Sequence, residues 1–426
     1  MSEITLIEQN KKGAIDGLGG FYIRLTTDKK NQSFIASYKV MGVTVIETMG
    51  SGTPLVSIAL MDTFGDLINH KIIEGVFEFY LYISNSDTTN QRYRLLPSHI
   101  NSMNATESRN DNQIYTIDLV SYHWPDMYLT RKNKSWRDKK YSDIVKEIAE
   151  EIGYQQINVT PTKEVIPNVI QPYWTNYQML NWIKKRCVAN QSLRTGHFDF
   201  CSTVDDGFFF MSSGDLVKSK NSGINVSEAR GVKTLTMVQK APNSLETSLR
   251  RAIKLEVEQN YMPMMVQGAG GVIPSHYDYM NKKYVVGDTA KFSESAEPQL
   301  SDWAFVSEEH EIGDRRIYSH SAMDDVGLAA NLNSNAVNSI QKVKALIDGV
   351  SDIQMGEVVE VQIPLSQENS KIIFNENFSG FYTVSEKKII VNLNTNNAQT
   401  ILKLSRQGVN GAEVNTLIAS SRGKSL

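Results

Sequence analysis

YSDIVKEIAEEIGY, residues 141–154, and VIQPYWTNYQMLNWIKKRC, residues 169–187, decide how this chain is read. In the first stretch Ser142 is placed to cap a helix. Ile144, Ile148 and Ile152 then fall one turn apart on a single face, and Gly153 closes it. In the second, Thr175 and Gln178 have the spacing of a capping box, in which each side chain satisfies a free backbone N–H at the helix start. The apolar face of that helix is Met179, Leu180, Ile183 and Cys187. Pro172 disfavours helix at Gln171 and imposes an extended approach. Trp174, immediately before the cap, is expected to pack back onto the first turn. A well-capped core helix accounts for every one of these residues, so their expected role is structural.

Strand patterns lie on both sides of this helical block. Upstream, Phe77, Phe79, Leu81 and Ile83 alternate with polar or aromatic neighbours, and Val56, Ile58 and Leu60 do the same. Further strands are expected over 21–26, 35–48, 93–96 and 113–121, an antiparallel barrel or sandwich. Downstream, HFDFCSTVDDGFFFMSSGD at 197–215 reads as a hairpin turning on Asp206-Gly207. The last strands are expected around Val359 to Ile363, at 381–384, at 387–393 and at 400–406. Between these strand sets, Ala336, Ile340, Val343 and Ile347 suggest an amphipathic helix ending at Gly349. The expected class is α+β, mostly β. Two small antiparallel β-barrel domains, 1–122 and 196–245 with 351–408, flank a helical domain at 123–195. A mixed domain at 246–350 is inserted in the second barrel, and 409–426 is expected to be a loose tail.

Composition narrows the function. A chain of 426 residues with 41% hydrophobic and 21% charged residues folds without disulfide or metal staples. A net charge of -3 excludes a strongly basic nucleic-acid binder. The two cysteines, Cys187 and Cys201, form no CxxC pair, and the seven histidines are scattered. The glycines at 268, 270 and 271 lack phosphate-loop spacing and lead into Pro274 rather than a helix start. His310-Glu311 lacks the second histidine of a metalloprotease helix, and no GxSxG elbow occurs. The chain is therefore expected to have no catalytic residues, no cofactor and no metal. No leader or membrane-length apolar run is visible at sequence level, which predicts synthesis in the cytoplasm without stable membrane insertion. The basic run RKNKSWRDKK at 131–140 reads as a solvated linker, or as a contact for an acidic partner protein.

The order of the motifs resembles one family. Ser142, Asp143 and Ile144, then Ile170, Gln171, Pro172, Trp174, Thr175 and Asn176, followed by the HFDF hairpin, are similar to the central segment of phage baseplate hub proteins. The N-terminal regions of type VI secretion spike proteins share that pattern, and SGFYTVSEKKIIVNL from Ser379 looks like the closing barrel hairpin of these hubs. The resemblance implies a homotrimeric virion protein whose paired barrels make a pseudo-sixfold ring between a threefold central spike and the sixfold tail tube. Other baseplate (wedge) proteins and a tape-measure protein are the further partners it implies, and DNA would pass through the channel without specific binding. The competing classes are a tail-tip cell-wall hydrolase and a receptor-binding tail protein.

Overall fold

The computed structural model describes residues 4–6, 21–28, 38–62, 78–85, 89–105, 113–163, 165–190, 198–212, 233–237, 250–260, 272–278, 282–286, 315–319, 341–368, 371–375, 378–395 and 397–406. The first block supplies β1 (Ile4–Leu6), β2 (Phe21–Asp28), β3 (Tyr38–Thr48), β4 (Leu55–Asp62), β5 (Glu78–Asn85), β6 (Thr89–Ala105) and β7 (Gln113–Ser121). The middle holds α1 (Trp124–Tyr128), β8 (Arg131–Lys140), α2 (Tyr141–Ile152), β9 (Gln156–Val159), β10 (Val165–Thr175) and α3 (Asn176–Lys184). Next come β11 (Phe198–Thr203), β12 (Gly207–Ser212), β13 (Lys233–Thr236) and β14 (Ala252–Gln259), then β15 (Val272–Asp278), β16 (Lys283–Val286) and β17 (Arg315–Ser319). The chain closes with β18 (Gln341–Asp348), β19 (Val358–Gln362), β20 (Pro364–Glu368), β21 (Lys371–Phe374), β22 (Gly380–Asn392) and β23 (Asn397–Arg406).

The protein is mostly β, as its alternating patterns predict. The main sheet has 13 strands in the order β1-β2-β5-β6-β7-β4-β3-β22-β23-β18-β14, with β19 and β13 branching from β22. Among the described residues this ladder is an open path, and β3 joins the first block directly to the last. Two apolar cores lie along it. Val43, Val45, Ile58, Leu81, Tyr115 and Ile117 build the first. Leu235, Val343, Ile347, Val359, Tyr382 and Leu404 build the second.

The β22–β23 hairpin serves both cores on one buried face. Tyr382 and Val384 face the second core, whereas Ile389 and Val391 face the first. The buried positions change from even to odd because a bulge between Val384 and Glu386 inserts one extra residue. Side chains on both sides of the bulge therefore stay inward. FYTV and KKIIVNL, read as separate strands, are one 13-residue strand for this reason.

Three other expectations change. Residues 341–348 form β18, not a helix, with Gln341, Val343, Ala345 and Ile347 buried in alternation. Val343 and Ile347 are four apart, a spacing that fits both periods, and pairing to β14 and β23 decides for strand. Ala336 and Ile340 lie outside the described residues, as do the glycines of 268–271, His310-Glu311 and the expected tail at 409–426. The hairpin turn is Asp205-Asp206, one residue earlier than expected. Both have positive φ, at 59° and 55°, and the Gly207 N–H donates to Val204 O at 3.2 Å. Finally, β11 and β12 pair with β9 of the helical block rather than with the C-terminal strands. Phe198, Phe200, Phe208 and Phe210 fill the helical core, while Cys201 and Phe209 point the other way into the second β core.

Candidate functional site: a capped helical unit and a buried polar seam

The basic run 131–140 is not a linker but β8, paired antiparallel with β10. The Val169–Trp136 step faces inward, where both residues join the helical core with Ile144, Ile148, Met179, Leu180 and Ile183. Three lysines of the run meet acids on α2. Lys132 pairs with Glu151 at 2.9 Å, Lys134 with Glu147 at 2.7 Å and with Glu151, and Lys139 with Glu147 at 2.6 Å. Burial raises the Glu147 carboxyl, but hydrogen bonds from Lys134 and Lys139 overcome it and bring it down to about 2.

Each residue of the motif has a definite place. Thr175 caps α3, and its Oγ1 accepts from Gln178 N–H at 3.2 Å while Thr175 N–H donates to Gln178 Oε1 at 3.0 Å. The face Met179, Leu180, Ile183 and Cys187 is buried. Ser142 does not cap α2. It sits inside the first turn, and its N–H donates to Thr162 Oγ1 at 3.1 Å, so the cap comes from a distant residue. Ile144 is buried and Asp143 is exposed in that first turn, where a negative charge suits the helix dipole.

Gln171 is fully buried, and its Nε2 donates to Trp174 O at 2.8 Å. That bond closes a bulge over Pro172 and Tyr173, where Tyr173 takes φ 54°. Asn176 Nδ2 donates to Asp126 O at 2.9 Å and ties α3 to α1. Trp174 packs against the helical core with its ring 6.4 Å from that of Trp182, but it remains half-buried.

A second polar feature ties the helical unit to the hairpin. The His123 ring is buried, with Nδ1 3.2 Å from Ile152 O and Nε2 3.1 Å from Asp206 Oδ1. The hydrogen bond from His123 holds the Asp206 carboxyl below its usual range.

A third was not anticipated from sequence. Glu47 on β3 and Lys387 on β22 stand opposite each other in register, and both are buried at the boundary of the two β cores. Lys387 Nζ donates to Gln354 Oε1 at 3.3 Å, and the Tyr93 hydroxyl lies 3.3 Å from Glu47 Oε1 and 3.1 Å from Gln91 Oε1. Burial pushes the Glu47 carboxyl up against the pull of Lys387, and pushes the Lys387 ammonium down against the pull of Glu47. Beyond Gln354, Lys233 pairs with Glu357 at 2.9 Å and Arg250 with Asp352 at 2.6 Å. Opposite charges at inward positions of two strands, next to Val43 and Val45 and to Ile389 and Val391, were the available signal.

Chemically, these arrangements hold and orient segments. The Cys201 thiol is buried, and burial pushes its pKa well up, which makes it a poor nucleophile. Among the described residues no cluster of three or more His, Cys, Asp or Glu side chains is arranged to hold a metal ion. No helix there is long and apolar enough to cross a membrane.

No family model and no curated protein matches the chain. Solved structures do. The tail protein from Neisseria meningitidis aligns with TM-score 0.53 at 10% identity, over 93% of this chain and 99% of that one. The 43 kDa tail protein of prophage MuSo2 from Shewanella oneidensis gives 0.51 at 8% identity, over 90% and 98%. A component of the E. coli type VI secretion system gives 0.49 at 10%, over 90% of this chain and 77% of that one. The first two alignments run nearly end to end in both chains, so this protein shares its fold with phage tail proteins.

Proposed function

We propose that the chain is the structural hub of a phage tail baseplate. The observation that carries this reading is the end-to-end fold match to two tail proteins. The residues quoted from 141–187 support the same family independently of the fold. In this reading three copies form a ring that joins the central spike to the sixfold tail tube, with wedge and tape-measure proteins as neighbours in the virion. Each copy contributes two similar β units, 1–122 and 196–245 with 351–408, around the helical unit 123–195, and 246–350 is an insertion. Two separate β cores on one ladder support two β units, while β11 and β12 pair with β9 of the helical unit, and β14 and β18, from within 246–350, add to the second β core.

The role is assembly rather than catalysis. DNA passes through the lumen, and a net charge of -3 suits a channel that does not hold phosphates. Closed rings use heterologous contacts repeated around one axis. Light scattering on the purified protein, alone or with its spike, is expected to give three copies of this chain. A protein that stays monomeric with the spike present would refute the hub.

A further inference from the structure

The motif that organises the helical unit has an outward side. Along β10, Val169 and Gln171 point into the core, while Ile170 and Pro172 point out, Ile170 being 62% exposed. At the bulge Tyr173 is 60% exposed in a left-handed conformation that disfavours any side chain, and a bulky one most. The core has no use for that ring. Arg131 lies over it at 5.6 Å, and Leu129, two residues before Arg131, is 61% exposed. Because β8 and β10 form a sheet of only two strands, α2 and α3 cover one face. Among the described residues nothing covers the other.

Charge on this ribbon is divided in the same way. Lys132, Lys134 and Lys139 are held by Glu147 and Glu151. Arg131 and Arg137 have no carboxylate at ion-pair distance among the described residues. An exposed aromatic and aliphatic centre flanked by two guanidinium groups that meet no carboxylate among the described residues has the make-up of a protein interface. It is a poor match for DNA, since half of the run's six cations are already neutralised and few phosphate contacts remain.

We propose that the outward face of the β8–β10 ribbon is a docking surface for an acidic protein segment, which sets an apolar side chain against Ile170 and Tyr173 and carboxylates against Arg131 and Arg137. The proposal rests on the tail reading only for where that partner is found.

The test replaces Tyr173, and separately Ile170, with the photo-cross-linker p-benzoylphenylalanine. Producing cells and purified particles are irradiated, and adducts are mapped by mass spectrometry. The expected result is one dominant adduct to another protein, within a segment that carries Asp or Glu beside an apolar residue. Arg131→Glu with Arg137→Glu should lower the adduct per chain about tenfold, with the melting temperature unchanged. An adduct to a second copy of this chain, to nucleic acid or to lipid overturns the proposal. So does an adduct indifferent to charge reversal, or none at either position. Particles that lack the chain would sink the tail reading instead, while the adduct formed in cells still decides the docking surface.

Discussion

Glu47 and Lys387 face each other across the β3–β22 ladder, both buried, where the two β cores meet. Along β22 the inward residues run Tyr382 and Val384, then Lys387, then Ile389 and Val391. Along β23 they run Leu404 and Leu402, then Thr400, then Ala398. Polar side chains thus mark the step from one core to the other. Thr400 Oγ1 donates to Gly349 O at 2.8 Å and accepts from Ser351 N–H at 3.0 Å, so the polar step on β23 is hydrogen-bonded.

Removing one member of this pair leaves the other buried without the opposite charge it faces, although Tyr93 still bonds Glu47 and Gln354 still accepts from Lys387. Lys387→Ala or Glu47→Ala is therefore expected to cost about 3 kcal/mol or more in a denaturation experiment. Replacing both with apolar residues of similar size, Glu47→Leu with Lys387→Met, should recover most of that loss. If the double variant were as unstable as the sum of the single ones, the two charges would not be coupled.

The caps give a paired prediction. Thr175→Ala removes the acceptor for Gln178 N–H and should cost on the order of 1 kcal/mol. Thr162→Val keeps the shape of a buried side chain but leaves Ser142 N–H without its acceptor, at a cost of about 1–2 kcal/mol. Ser142→Ala should cost less than Thr162→Val by thermal melting. The reverse order would return the capping role to Ser142.

Trp174 is half-buried, so its truncation removes less contact than a core ring would. Trp174→Ala should cost about 2 kcal/mol, below the 3–5 kcal/mol typical of a fully buried aromatic. Gln171→Ala should cost at least as much, since Gln171 is fully buried and its amide closes the bulge. Equal stability of Gln171→Ala and the parent, measured by urea unfolding, would show that the bulge holds without it.

What the sequence made legible follows from where its signals are local. The capping box at Thr175 and Gln178 is read within one turn, and the structure forms it. Alternation at Phe79, Leu81 and Ile83 likewise needs only neighbours, and all three are buried on β5. Capping of α2 by Thr162 was not legible, because a cap supplied from 20 residues away leaves no spacing rule. The strand at 341–348 was hidden by valine and isoleucine four apart, which satisfy two periods at once. The basic run looked like a linker because the acids that neutralise its lysines lie on a different element, α2.

Those acids make the last prediction, a pH window. A carboxyl whose pKa is lower in the folded than in the unfolded chain stabilises the fold above its unfolded value, and that stability is lost as pH falls through the folded one. Unfolded glutamate titrates near pH ~4.3. Glu147 is held at about 2 in the fold, against burial, by Lys134 and Lys139, and Glu151 is lowered by Lys134 and Lys132. Their contribution is therefore complete near neutral pH and disappears between about pH 4.5 and 2. Both side chains are about one-third exposed, so solvent screening keeps the effect modest. Glu147→Gln with Glu151→Gln should melt a few degrees below the parent at pH 7, and the two curves should converge as the pH approaches 2. Curves that stay parallel over that whole range would mean that the β8 lysines do not hold these carboxylates.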